Sequence, residues 1–126
     1  MTGSKYRLKP LQKTQSIPIH WEFTQDDYDK LVKGHRSNWC IFLRDDIVHV
    51  CRVGGEEFYR FGMSKASDGL YIADNLEMYA YDDYYKSERR HGCSGEKIEQ
   101  YKVELKESAT DEIVGLLVSF FSIRIA

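Results

Sequence analysis

The sequence predicts an α+β domain: a four- to five-stranded, mainly antiparallel sheet with a short N-terminal helix and a C-terminal apolar helix packed on one face. Three observations predict it. Gly54-Gly55 lies between the alternating runs Ile47 to Val53 and Glu56 to Phe61, a strong hairpin pattern. Thr24 opens a short amphipathic run carrying full helix-start punctuation. The stretch from Ile113 to Ile125 is apolar enough for a buried helix, yet too short to span a bilayer and broken by Gly115, Ser119, Ser122 and Arg124.

In chain order, residues 1–16 carry Lys5, Arg7, Lys9, Pro10 and Lys13 without a clear period and read as a flexible basic arm ahead of a single domain over 17–126. Ile17 to Phe23 alternates loosely, and Pro18, which has no N–H for a ladder bond, assigns it to a sheet edge. Thr24 with Asp27 resembles a capping box, Phe23 and Tyr28 occupy the hydrophobic-staple positions, Tyr28, Leu31 and Val32 form one apolar face, and Gly34 suits the stop. The Gly54-Gly55 loop, taken as two residues, sets Arg52 opposite Glu57, Cys51 opposite Phe58, Val50 opposite Tyr59, His49 opposite Arg60 and Val48 opposite Phe61. A second tight turn at Asp45-Asp46 sets Leu43 opposite Val48, Ile41 opposite Val50 and Trp39 opposite Arg52. Both turns put Trp39, Ile41, Leu43, Val48, Val50, Tyr59 and Phe61 on one core face, with Arg52 between Trp39 and Glu57.

Asp68-Gly69 makes a further turn into a fourth strand, Leu70 to Ala73 and Leu76 to Tyr81, with a break at Asp74-Asn75. Asp82 to Gly95 reads as a charged surface loop. Residues 96–107 fit helix through Ile98, Tyr101 and Leu105 or strand through Tyr101, Val103 and Leu105, with helix preferred. Thr110 before Asp111-Glu112 reads as the start of the last helix, whose apolar residues cover nearly every side.

The totals narrow the function classes. At 126 residues and 42% hydrophobic the chain can bury a real core. Nine Tyr and six Phe leave aromatic surface available for a partner. A net charge of -2 gives no global attraction to nucleic acid or anionic membrane. The polar start, with no apolar stretch behind it, leads us to expect a cytoplasmic protein. Cys40, Cys51 and Cys93, odd in number and without C-x-x-C spacing, argue for packing residues or a free thiol over a disulfide framework.

Phe23 to Tyr28 with Leu31 and Gly34, then Trp39, then His49 to Arg60, resemble a loose group of small bacterial hypothetical proteins. In that group a tryptophan strand leads into a histidine, an arginine and a glycine turn followed by an aromatic strand, and the likeness spans roughly residues 21–80. Its Arg-Ser-Trp-Thr-Gly stretch stands here as Arg52-Val53-Gly54-Gly55-Glu56. The resemblance implies cargo of mobile elements, of the integron-cassette and toxin-immunity kind, and favours a binding role.

No catalytic signature emerges. His49 and Arg52, three apart on a strand, point to opposite faces. Cys51 with His49 as base is conceivable, but two residues along one strand is an awkward separation. His91 and Cys93 are too few for a zinc site, and His20, His35 and His49 stand apart from them. Asp26-Asp27 caps a helix and Asp82-Asp83 lies in an acidic, tyrosine-rich strip, so both pairs read as solvated charge. Gly54-Gly55 precedes no helix and cradles no phosphate.

The residues point instead to a non-enzymatic binding protein, self-associating or meeting a protein partner, with no cofactor, metal or membrane. The second sheet face, with Cys40, Phe42, Arg44, His49, Cys51, Phe58 and Arg60, is an aromatic-basic interface if left uncovered and a second core layer if a helix covers it. Tyr79, Tyr81, Tyr84 and Tyr85 make an acidic tyrosine strip suited to a basic partner. The alternative is a small enzyme or ligand binder with a pocket lined by Trp21, Trp39, Arg52 and Tyr59. Nucleic acid ranks third, because the only basic run is the arm.

Overall fold

The computed structural model describes residues 6–12, 14–79 and 95–125, the last with side chains from Ser108 onward. In chain order the elements are β1 (Thr14–Phe23), α1 (Gln25–Lys33), β2 (His35–Arg36), β3 (Trp39–Arg44), β4 (Ile47–Arg52), β5 (Glu57–Gly62), β6 (Ser64–Lys65), β7 (Tyr71–Tyr79) and α2 (Gly95–Phe121). The strands form one antiparallel sheet in the order β1-β7-β5-β4-β3-β2, with β6 also paired to β7. The seven strands among the described residues exceed the four or five expected. The surplus is β2 and β6, two residues each, too short to carry any periodicity.

β1 is an edge strand, as Pro18 requires. Its ladder to β7 is irregular between Pro18 and Trp21. At the same level β7 runs through Asp74-Asn75 without the expected break, but Ala73 and Leu76, three residues apart, are both fully buried. One extra residue in β1 thus re-phases the alternation of the pair.

Around α1 the local chemistry acts as its residues suggest. The Thr24 hydroxyl accepts from the Asp27 N–H at 3.1 Å, the Asp27 carboxylate accepts from the Thr24 N–H at 3.0 Å, and Gly34 ends the helix at φ 76°. Tyr28 packs against the core cluster that contains Phe23. It stacks on Tyr71 and donates its hydroxyl to Asp46, while Val32 stays exposed and Leu31 alone is buried. Thr24→Ala is expected to cost about 1 kcal/mol, read as a lower urea midpoint at unchanged slope.

α2 is continuous from Gly95 to Phe121, so residues 96–107 are helical and Thr110 lies inside the helix. A capping residue caps only where the preceding turn is not helical. Ala109, Ile113, Leu117, Phe121 and Ile123 bury against the sheet face formed by Ile41, Leu43, Val48, Val50, Tyr59, Phe61, Leu76 and Met78, with Leu31 of α1 in the same cluster. Tyr59 tethers the layers by donating to Glu112 at 2.9 Å. No helix among the described residues is long and apolar enough to cross a membrane.

Candidate functional site

Turn chemistry sets the sheet's second face. Asp45 and Asp46 both adopt positive φ, 54° and 61°, which is the two-residue turn whose twist matches a hairpin. The β3–β4 register follows as expected, with Trp39 opposite Arg52, Cys40 opposite Cys51 and Phe42 opposite His49.

The β4–β5 hairpin differs from expectation in two compensating ways. The Gly55 N–H donates to the Arg52 carbonyl and the Arg52 N–H to the Glu56 carbonyl, both at 2.9 Å, so the loop has three residues and Gly55 takes the positive φ of 94°. One residue further, Cys51 faces Glu57 while Val50 still faces Tyr59, which leaves Phe58 as the extra residue of a bulge. The two shifts cancel beyond the bulge, where His49 opposite Arg60 and Val48 opposite Phe61 hold. They do not cancel at Glu57 and Phe58. Phe58 goes to the core side, edge-on to Trp39, and Arg52 lies over both rings. Glu57 goes to the second face and is not the partner of Arg52. Adjacent aromatics Phe58-Tyr59, breaking the alternation, are the signal of this bulge in the chain.

Glu57 is buried there within a charged network. His49 Nδ1 donates to one carboxylate oxygen, and the other accepts from Arg60 Nη1 at 3.0 Å and from the Leu11 N–H at 3.1 Å. Arg60 Nε also donates to Glu77, so His49, Arg60 and Glu77 run in register across β4, β5 and β7. Burial pushes the Glu57 carboxyl up, but the bonds from His49 and Leu11 and the charges of His49 and Arg60 outweigh it and hold it below its ordinary 4.5.

The Leu11 N–H belongs to the segment read as an arm. Residues 6–12 lie along the second face, where Tyr6 stacks on Phe42 at 4.8 Å and Tyr6 and Leu8 pack on buried Cys40, Phe42 and Cys51. Its main chain bonds to the hairpin loop, Lys9 N–H to the Gly55 carbonyl at 2.8 Å and Glu57 N–H to the Lys9 carbonyl at 3.1 Å. Gly55 is needed for this approach, because a Cβ there would meet the Arg7 carbonyl at 3.0 Å. The alternation Tyr6-Arg7-Leu8-Lys9 is the pattern of a docked extended segment. Among the described residues it is the arm, and neither helix, that covers this face.

The second face is therefore half sealed. Phe42 and His49 are buried beneath or beside the arm, Phe58 is on the core side, and among the described residues of that candidate set Arg60 alone lines an open groove. This groove, about 410 Å³, is bounded by Ile47, Arg60, Gly62, Asp74, Asn75 and Glu77. Tyr81, Tyr84 and Tyr85 lie outside the described residues. Trp21 on β1 and Trp39 on β3 stand four places apart in the strand order. Trp21 is buried edge-on to Phe61, Tyr59 is buried against α2, and Trp39 sits with Arg52 and Phe58.

The geometry does not suit thiol catalysis. Burial pushes the Cys51 thiol up to about 12, and Cys51 has no exposed surface. Among the described residues no cluster of three His, Cys, Asp or Glu could hold a metal ion. In intact protein, Cys40 and Cys51 are expected to resist iodoacetamide until unfolding, whereas deletion of residues 1–12 exposes them; peptide-resolved mass spectrometry of the labelled protein checks both. Comparisons with protein-family models, with curated proteins and with solved structures return no match to this chain.

Proposed function

We propose that the chain is a non-enzymatic binding domain whose partner, a protein, meets the open groove of the second sheet face. One observation carries this reading: the arm seals the apolar part of that face and stops short of Arg60, Asn75 and Glu77, which stay accessible beside Ile47 and Gly62. A rigid sheet presenting one partly desolvated Arg, flanking carboxylates and a small apolar floor is the composition of an interface centre with its rim. Arg60 is held between Glu57 and Glu77, so it is pre-organised and gives up little rotamer freedom on binding.

A photo-crosslinking residue placed at position 75, compared in the source cells with one at position 29 on the exposed side of α1, tests the proposal. A single protein captured from position 75 and absent from position 29, and lost with Ile47→Glu, supports it. Equal or absent adducts from both positions overturn it.

A further inference from the structure

Cys40 and Cys51 are direct partners across the β3–β4 ladder, and both side chains stand on the second face in one cluster with Phe42. The Arg52 N–H and carbonyl are both committed to the β5 side, bonding to the Glu56 carbonyl and the Gly55 N–H. Alternation along β4 therefore turns the Cys51 main chain toward β3, which makes Cys40 and Cys51 a hydrogen-bonded pair. The two-residue turn closed by Arg44 and Ile47 gives the same phase. Such a pair sets its Cα atoms about 5.5 Å apart, a common separation for disulfide-linked residues. Its Cβ atoms lie roughly 5.5 Å apart, wider than the ~3.8 Å of a relaxed bridge. Two thiols so placed can be joined, but only under strain.

Strain of this kind makes a disulfide easier to reduce. The backbone next to Cys51 takes up part of it, because the β4–β5 register shifts between Val50 and Cys51 at the Phe58 bulge. The arm controls when the thiols are reached. Tyr6 and Leu8 pack on their cluster, and Tyr6 is fixed there by its stack on Phe42, by its hydroxyl bond to the Lys33 carbonyl at 2.8 Å and by Arg44 donating to its own carbonyl at 2.9 Å. Burial is the largest cause that raises the Cys51 thiol to about 12, and departure of the arm removes that cause by letting water in. Cys40 keeps 4% of its surface exposed and Cys51 none, so Cys40 is met first.

We propose that Cys40 and Cys51 are a reversible redox site, which a low-molecular-weight disulfide such as oxidised glutathione converts to a cross-strand bridge when residues 6–12 leave the second face. The Cys40 thiolate attacks one sulfur of the reagent, breaking its S–S bond and expelling one thiolate. The Cys51 thiolate then attacks the Cys40 sulfur of the mixed disulfide and expels the second. Two electrons pass from the protein to the reagent, and the two protein thiol protons end on the two released thiolates. Reduced glutathione runs the sequence backward. Neither cysteine lines the open groove, so the site does not depend on the groove's partner.

The test uses the full chain in a Cys93→Ser background, where the remaining native thiols are these two. Protein is incubated with oxidised glutathione, quenched with acid, alkylated in denaturant and digested without reduction, and the peptide pair joined through Cys40 and Cys51 is followed by mass spectrometry. Tyr6→Ala, which loosens the arm, is expected to form the bridge at least ten-fold faster than its parent, and excess reduced glutathione is expected to reopen it without denaturant. Adding Cys51→Ser to the Tyr6→Ala chain is expected to stop the reaction at the Cys40 mixed disulfide, whereas adding Cys40→Ser slows any adduct at least ten-fold. The far-UV spectrum of Tyr6→Ala is compared with the parent's; if the alanine chain unfolds, Tyr6→Phe, which keeps the ring and loses the hydroxyl bond to Lys33, carries the comparison with a two-fold or greater acceleration. A folded, loosened chain that stays reduced or stops at the mixed disulfide overturns the site. Equal bridging rates in the parent and the loosened chain overturn the control by the arm, and a bridge that reopens only on unfolding overturns its reversibility.

Discussion

Phe61→Ala is expected to lower the stability of the domain by about 4 kcal/mol, the largest single-residue loss in the core. Phe61 is fully buried, edge-on to Trp21 at 5.2 Å and stacked on Phe23 at 5.9 Å, with Val48 and Leu76 as its register partners on either side. Truncation removes a ring's worth of apolar burial and leaves a hole whose lining belongs to three strands of one sheet. Of these, β4 and β7 are tied by ladders on both sides and cannot move in to fill it. Phe61→Leu keeps most of the volume and should cost under about 1.5 kcal/mol. Urea unfolding of both variants, with an unchanged slope, checks the prediction. A loss for alanine no greater than that for leucine would show that the site collapses and that the packing is looser than described.

Glu57→Gln is expected to cost about 3 kcal/mol, more than its size suggests. The carboxylate accepts at once from His49, Arg60 and the Leu11 N–H in a position closed to water. The amide keeps the shape but removes the charge, and it turns one acceptor into a donor facing donors. The pH dependence follows from the same contacts. The folded carboxyl is held below its ordinary 4.5, so the folded state binds a proton less readily than the unfolded chain. That stabilisation is fully present above about pH 4.5 and is lost as pH falls through the lower, folded value. Wild type should therefore lose more stability than the variant over this acid window, and urea midpoints of the two proteins should converge as pH drops. Parallel lines from neutral to acid would show that Glu57 carries no such linkage.

Features governed by neighbours in the chain are legible in the order of the amino acids. The Thr24 and Asp27 capping box, the Gly34 stop, the Asp45-Asp46 hairpin turn and the edge position of the Pro18 strand rest on backbone preference and on groups within a few residues. The core face is legible too, because a period of two survives any pair of register shifts that cancel. That cancellation also hides the candidate site. Glu57 and Phe58 sit inside the segment where the loop is one residue longer and the bulge restores the count, so only there are the faces reversed. β2 and β6 exist because longer strands offer them open ladder positions, a condition that two residues cannot encode.

The arm shows the same division. Its basic residues alternate with Tyr6 and Leu8, but that pattern becomes a docked segment only where Phe42, Cys40 and Cys51 form an apolar strip and Glu57 waits with an unfilled acceptor. Local preference and hydrophobic period thus decided the elements, the turns and the buried face of the sheet. Tertiary structure alone decided what covers the opposite face and which charges meet there, since those contacts join residues about forty positions apart, with energies that no local pattern carries.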